Sequence, residues 1–305
     1  MRTVYLGTSA FAAAVLEELA AGPHRPSLVV TPPDRRRGRG RRLSPPPTAR
    51  VAAELGIDRL GTADVNDPGD RERLLGVGAD VGVVCAFGQL IGAELLGAIE
   101  LLNLHPSLLP RWRGAAPIER AIMAGDELTG ACVMKVTAGL DSGPVVSCES
   151  TPVSSGDDYG SLAGRLAPIG ARLLAAALDR RGAGPLELTE QPDDGVTYAE
   201  KVEAGERRVD PGADAAAEAR RIRALTPHIG AFVLLGDGSR LGVRDPHPRD
   251  SGPPPGEFAA GEEGLVLGCG AGALWIGAVQ PPGGRWMESA DFLRGRGVPA
   301  AARLP

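Results

Sequence analysis

The chain lacks any unbroken apolar run approaching the roughly 20 residues that cross a bilayer. Met1-Arg2-Thr3 leads directly into a strand, with no apolar signal-peptide core. A soluble, cytoplasmic protein without a membrane partner is therefore expected; a monomer is the expected state. Its four cysteines, Cys85, Cys132, Cys148 and Cys269, are scattered without metal-type pairing, so free thiols and no metal are expected. The turn Gly7-Thr8-Ser9-Ala10 lacks the three-glycine spacing of a dinucleotide loop, and no acidic residue closes the second strand, which argues against NAD. No Ser or Cys sits in a nucleophile elbow, so a covalent acyl-enzyme is not indicated. Positive charge is not in excess either. With 33 basic and 38 acidic residues the net charge is −5, which argues against a uniformly basic surface and leaves room for a local patch.

What is present reads as two domains, the usual expectation for 305 residues. Residues 3–6 form a short strand, 11–21 an apolar-periodic helix and 27–31 a second strand, which is a βαβ opening and implies a parallel sheet. Residues 80–86 are a near-continuous apolar strand of the kind covered on both faces. Helices at 48–56, 67–76 and 116–125, strands at 131–137 and 145–150, and a long alanine-rich helix at 157–180 complete an α/β domain over 1–186. A polar tract at 187–205 reads as a linker. From 206 to 305 a helix at 214–225 precedes short strands at 230–235, 240–243, 264–267 and 273–279, the texture of a small β-barrel or sandwich. The glycine-rich run 268–272 reads as a hairpin turn, since no helix follows it.

The local basic patch is Arg35-Arg36-Arg37-Gly38-Arg39-Gly40-Arg41-Arg42, flanked by prolines. So many arginines cannot bury themselves and the prolines forbid a long helix, which predicts a mobile basic loop. A solvated surface run is one reading. A clamp on phosphate backbone is favoured, because the charge is concentrated here in an otherwise acidic chain.

The most informative stretch is Leu101-Leu102-Asn103-Leu104-His105-Pro106-Ser107. In a strand Asn103 and His105 point to one side while Leu102 and Leu104 point into the core. Pro106 ends the strand, so the pair sits at a carboxyl end, where open α/β sheets place their ligand crevices. Phe87-Gly88-Gln89-Leu90-Ile91 leaves the preceding strand at the same edge, where backbone groups could receive a flat heterocycle. An amide and an imidazole, with the loop carboxylate of Asp141 available, suit acyl-type transfer through a tetrahedral intermediate. Each also has a purely structural reading: a histidine that only hydrogen-bonds, an asparagine that caps a turn, an Asp-Ser-Gly turn. Spacing alone does not show that Asp141 reaches His105.

Asn103-Leu104-His105-Pro106-Ser107-Leu108-Leu109-Pro110, followed by Arg111-Trp112-Arg113-Gly114-Ala115-Ala116-Pro117-Ile118, resembles the signature of the folate-dependent formyltransferases. The Gly7 turn with Phe11, the loop from Pro33-Asp34-Arg35 to Leu43, Ala86-Phe87-Gly88, Gly139-Leu140-Asp141-Ser142-Gly143 and Val196-Thr197-Tyr198-Ala199-Glu200-Lys201 match in the same order. The arginine run and the C-terminal domain are similar to the branch that acts on methionyl-tRNA. The resemblance implies a Rossmann-like, mostly parallel domain followed by an OB-like barrel that binds tRNA. It implies formyl transfer from 10-formyltetrahydrofolate to the α-amino group of initiator methionyl-tRNA by direct amine attack. Asn103 would donate to the formyl oxygen, His105 would stabilise the oxyanion and shuttle the amine proton, and Asp141 would hold His105 through a water. The folate would lie against Phe87, Gly88, Gln89, Leu90, Ser107, Leu108, Leu109, Pro110, Gly139 and Leu140. Arg35, Arg36, Arg37, Arg39, Arg41 and Arg42 would contact the tRNA acceptor arm. The same core could instead serve a UDP-amino sugar N-formyltransferase, or persist in a non-catalytic RNA-binding relative.

Overall fold

The computed structural model describes residues 1–37, 42–261 and 264–304. Contacts divide the chain into two compact units: Met1–Pro117 with Leu128–Pro152 and Ala163–Glu200, and Ile118–Glu127 with Val153–Leu162 and residues 201 onward.

The elements up to residue 200 are β1 (Thr3–Gly7), α1 (Ala10–Ala21), β2 (Leu28–Thr31), β3 (Arg35–Arg37), β4 (Arg42–Ser44), α2 (Pro47–Leu55), β5 (Asp58–Gly61), α3 (Pro68–Gly76), β6 (Val81–Cys85), α4 (Ala93–Ala98), β7 (Glu100–His105), β8 (Arg113–Gly114), α5 (Pro117–Ala124), β9 (Leu128–Lys135), β10 (Val145–Pro152), α6 (Tyr159–Ala183) and β11 (Tyr198–Ala199). Seven strands form one sheet in the order β10-β9-β7-β6-β1-β2-β5. The strands from β5 to β7 run parallel, and β9 and β10 add an antiparallel edge. Strands β1 and β6 are buried along their whole length, which is why they read as apolar runs without alternation. The chain builds outward from β1 to β2 and β5, then returns to β6 and β7 on the other side of β1. This reversal opens a crevice beyond the carboxyl ends of β1 and β6. Thr8 Oγ1 donates to the Phe87 carbonyl at 2.6 Å across it.

Helix α1 begins where Ser9 accepts from the Ala12 amide, and α3 where Asp67 accepts from Gly69 and Asp70. Helix α6 buries Leu166, Leu174 and Leu178 at four- and eight-residue spacing. Gly170 lies on the same stripe, and a Cβ there would meet Leu104 Cδ2 at 2.4 Å. That close approach seats the helix over β7. By length and composition α6 is apolar enough to cross a bilayer. It holds no unbroken apolar run of that length, because Arg165 and Arg172 interrupt the sequence without interrupting the buried stripe.

Two expectations are corrected here. Cys132 and Cys148 are not free thiols but a disulfide, with Cα atoms 4.1 Å apart. They stand directly opposite each other on β9 and β10, so antiparallel register, invisible in their sequence spacing, brings them together. Cys85 and Cys269 are free and buried. The flanks of the arginine run are likewise not a loop. Arg35–Arg37 pairs with Arg42–Ser44 as an antiparallel ribbon, because ladder hydrogen bonds need no buried side chains. Arg39, Arg41 and the side chain of Arg37 lie outside the described residues.

In the second unit α7 (Ala215–Leu225) is followed by β12 (Ala231–Leu234), β13 (Arg240–Arg249), β14 (Phe258–Ala260), β15 (Leu265–Gly268), β16 (Ala273–Gln280), β17 (Met287–Glu288) and α8 (Ser289–Arg296). The strands form an antiparallel sheet in the order β12-β13-β16-β15-β14, with β17 beside β16. Ala219, Ile222 and Leu225 of α7 belong to one core with Val233, Leu241, Val243, Leu267, Ile276 and Val279. The turn at 268–272 closes the β15–β16 hairpin through Cys269 N to Gly272 O at 3.1 Å, as its sequence suggested.

Candidate active site

Asn103 and His105 leave β7 on one face and are only 8% and 3% exposed. Asp141 lies in the loop after β9, and its carboxylate reaches both. Asn103 Nδ2 donates to Asp141 Oδ1 at 3.3 Å, and His105 Nδ1 lies 3.7 Å from Asp141 Oδ2. The Gly114 amide donates to Oδ2 at 2.8 Å. The structure therefore brings the three residues together.

On its other side His105 Nε2 is 2.7 Å from the Trp112 carbonyl. A carbonyl only accepts, so Nε2 carries its hydrogen there. Nδ1 is the ring nitrogen that faces Asp141. The amide of Asn103 has two hydrogens, of which Asp141 uses one.

The backbone around this group is strained. Among the described residues the non-glycine positive φ angles are Ala86 (43°), Trp112 (63°), Asp141 (44°) and Asp245 (53°). All but Asp245 stand at this edge of the sheet. Such conformations cost of order 1–3 kcal/mol each and persist where surrounding bonds over-determine them. Those bonds are visible here. The Trp112 amide donates to Thr197 Oγ1 at 2.9 Å, the Arg113 amide to Thr197 O at 2.9 Å, and the Ala115 amide to Ala199 O at 2.8 Å. Strand β8 pairs with β11 in register with these bonds. Gly114 has φ 123°, and a Cβ there would sit 2.8 Å from Ala199 O, so glycine is required.

The residues expected at the folate wall divide by role. Ser107 is fully buried and its hydroxyl donates to Arg111 O at 2.6 Å, which tightens the turn through Leu108, Leu109 and Pro110. Phe87 is 3% exposed, with its ring in the core, so only its backbone faces the crevice. Gln89 accepts from Val65 N at 2.8 Å and donates to Thr62 O at 3.0 Å; its side chain anchors the loop. Gly88 has φ 76° in the turn. Leu90 and Leu140 are 86% and 58% exposed, large apolar side chains on the loops after β6 and β9. Gly139 precedes Leu140 against the Ser142 hydroxyl. Arg35, Arg36 and Arg42 are exposed on the β3–β4 ribbon.

Sequence reasoning missed the Trp112 carbonyl and the Gly114 amide, which as backbone atoms leave no side-chain signal. It also missed Gln191 and Thr197, which sit in a tract whose polarity reads as a connector.

This arrangement, a polar cluster at the carboxyl end of a mostly parallel sheet, defines a group-transfer site. The chain belongs to the formyl transferase family: residues 1–178 match the family's formyl transferase model and 201–297 its C-terminal domain model. It is 41% identical over 308 residues to the methionyl-tRNA formyltransferase of Methylococcus capsulatus, spanning 100% of this chain and 99% of that one. It is 42% identical to the methionyl-tRNA formyltransferase of Halorhodospira halophila, over 97% and 96% of the two chains. Among solved structures, HypX from Aquifex aeolicus in complex with tetrahydrofolic acid has a TM-score of 0.69 at 18% identity, covering 98% of this chain and 48% of that one. WlaRD, a sugar 3N-formyl transferase, has a TM-score of 0.64 at 14% identity over 90% and 96%. These structures share the fold.

Proposed function

We propose that the chain transfers a formyl group from 10-formyltetrahydrofolate to the α-amino group of initiator methionyl-tRNA, in the cytoplasm and as a monomer. The observation that carries the chemistry is the convergence of Asn103, His105 and Asp141 at one strand end. The second N–H of Asn103 donates to the formyl oxygen as it becomes an oxyanion. One such donor is worth about 3 kcal/mol, or roughly 100-fold in rate. His105 Nδ1, beside the Asp141 carboxylate, takes the proton that the attacking amine must lose and returns a proton to the folate nitrogen as the bond between that nitrogen and the formyl carbon breaks, releasing tetrahydrofolate. No side chain need act as a nucleophile, because holding the amine against the formyl carbon supplies the proximity term.

The formyl donor brings an activated one-carbon unit. Leu90, Leu140 and the backbone of Phe87, Gly88 and Gln89 form its apolar wall, and Ser107, Leu108, Leu109, Pro110 and Gly139 shape the loops beside it. Arg35, Arg36, Arg37, Arg39, Arg41 and Arg42 hold the acceptor arm by charge and shape. In this reading residues 1–186 are the catalytic domain, 187–205 the connection and 206–305 a tRNA-binding domain.

The test is transfer of labelled formyl to methionyl-tRNA by wild type, Asn103→Ala and Asp141→Asn, with tRNA binding measured alongside. Each variant should lose about 100-fold or more in turnover and keep tRNA affinity within about 2-fold. Wild-type turnover in both variants would overturn the assignment of the site.

A further inference from the structure

Asp141 holds a positive φ with its carboxylate aimed inward, and something outside its own loop must keep it there. The structure assigns that task to Gln191. Its Nε2 donates to the Asp141 carbonyl at 2.9 Å and to the Gly143 carbonyl at 2.8 Å, so both hydrogens of the carboxamide are spent on the loop that carries Asp141. Its Oε1 is gripped in turn by Arg113, with Nε at 3.0 Å and Nη2 at 2.8 Å. Arg113 stands between Trp112, whose carbonyl bonds His105, and Gly114, whose amide bonds Asp141.

We propose that Gln191 and Arg113 form a clamp that positions Asp141, and that Gln191 is a positioning residue for formyl transfer. The clamp joins the two loops that hold the histidine and the carboxylate. Its ends are fixed independently. Thr189 exchanges backbone hydrogen bonds with Val145 at 2.7 and 2.9 Å, and Thr197 and Ala199 bond the backbone of residues 112–116. The segment 189–199 therefore straps both loops, and Gln191 lies two residues after its Thr189 anchor. A carboxamide suits the place because it alone among neutral side chains offers two donors and an acceptor in one plane. Without it the Asp141 backbone can relax toward ordinary φ values and withdraw the carboxylate from Asn103 and His105. Gln191 touches neither the formyl group nor the amine, so its loss acts through Asp141.

The inference rests on the reading of Asp141 as part of the site, and a double-mutant cycle separates the two. Steady-state kinetics and thermal melting are measured for wild type, Gln191→Met, Asp141→Asn and the double variant. Gln191→Met keeps the length and removes the donors. It should lower kcat about 10- to 100-fold with KM for either substrate within about 3-fold. In the Asp141→Asn background the same change should cost less than about 2-fold, because the group it positions is already gone. Equal losses in both backgrounds would overturn the clamp as a device acting through Asp141, as would unchanged kcat in Gln191→Met. Wild-type turnover in Asp141→Asn would instead overturn the reading of the site. Should Gln191→Met not fold, Gln191→Glu replaces it in the cycle. That variant keeps the acceptor for Arg113, loses the donors, and carries the same expectation.

Discussion

Asn103 and His105 are 8% and 3% exposed at the end of β7, whereas Arg35, Arg36 and Arg42 stand exposed on the β3–β4 ribbon of the same unit. The first pair is fixed by hydrogen bonds to Asp141 and the Trp112 carbonyl, and by strained backbone on either side. The second set is carried on a two-stranded antiparallel ribbon. Under the proposed function the contrast follows from what each region would recognise. A developing oxyanion gains from donors that are already oriented and dry, since reorganisation during the reaction would raise the barrier. A phosphate backbone is met by charge at longer reach, where long mobile cations serve and counterion release supplies much of the binding free energy.

If that division is right, changes in the two regions should separate cleanly in kinetics. The largest effect is expected for Asn103→Ala, a fall in kcat of about 100-fold or more with tRNA affinity preserved. An unchanged kcat would place the oxyanion donor elsewhere.

Gly114→Ala should come next. Its Cβ would meet Ala199 O at 2.8 Å and displace the amide that bonds Asp141, so kcat should fall about 10-fold and unfolding free energy by about 1–3 kcal/mol. Wild-type melting and kinetics together would show that the approach of β11 to β8 does not constrain the site.

In the opposite region, replacing Arg35, Arg36, Arg37, Arg39, Arg41 and Arg42 by Gln should raise the tRNA dissociation constant by about 10-fold or more at moderate salt. It should also flatten the dependence of log K on log salt concentration, with kcat at saturation nearly unchanged. An unaltered salt slope would make the ribbon a solvated surface.

The smallest effect concerns a buried carboxylate remote from catalysis. Glu218 of α7 is fully buried, and burial, partly offset by Arg221, raises its pKa above the usual carboxylate range. The folded chain thus binds this proton more tightly than the unfolded one. The resulting stability is present below the unfolded pKa of about 4.3 and is lost as pH rises through the folded value. Glu218→Gln should flatten that part of the melting-temperature profile. A profile parallel to wild type would remove Glu218 as its source.

Much of the site's location was legible in the sequence. The alternation Asn103-Leu104-His105 and the break at Pro106 are local signals, and they placed the amide and imidazole on one face at a carboxyl end, where the structure has them. The buried runs of β1 and β6 were legible for the same reason. Long-range register was not. Nothing in the sequence separation of Cys132 and Cys148 shows that β9 and β10 bring them face to face. Nor does the polar tract around Gln191 show that its carboxamide reaches the Asp141 loop. The short strands β14 and β17 were missed because three and two residues carry no usable period. The ribbon at β3–β4 is not legible in the sequence, because exposed arginines carry no apolar alternation.

The most direct measurement offers the purified chain 10-formyltetrahydrofolate with initiator methionyl-tRNA in one reaction and a UDP-amino sugar in another, following formyl transfer in each. Rapid formylation of the methionyl-tRNA, abolished by Asn103→Ala, with no transfer to the sugar, is the expected result. Transfer to the sugar alone would contradict the assignment while leaving the fold and the polar cluster as described.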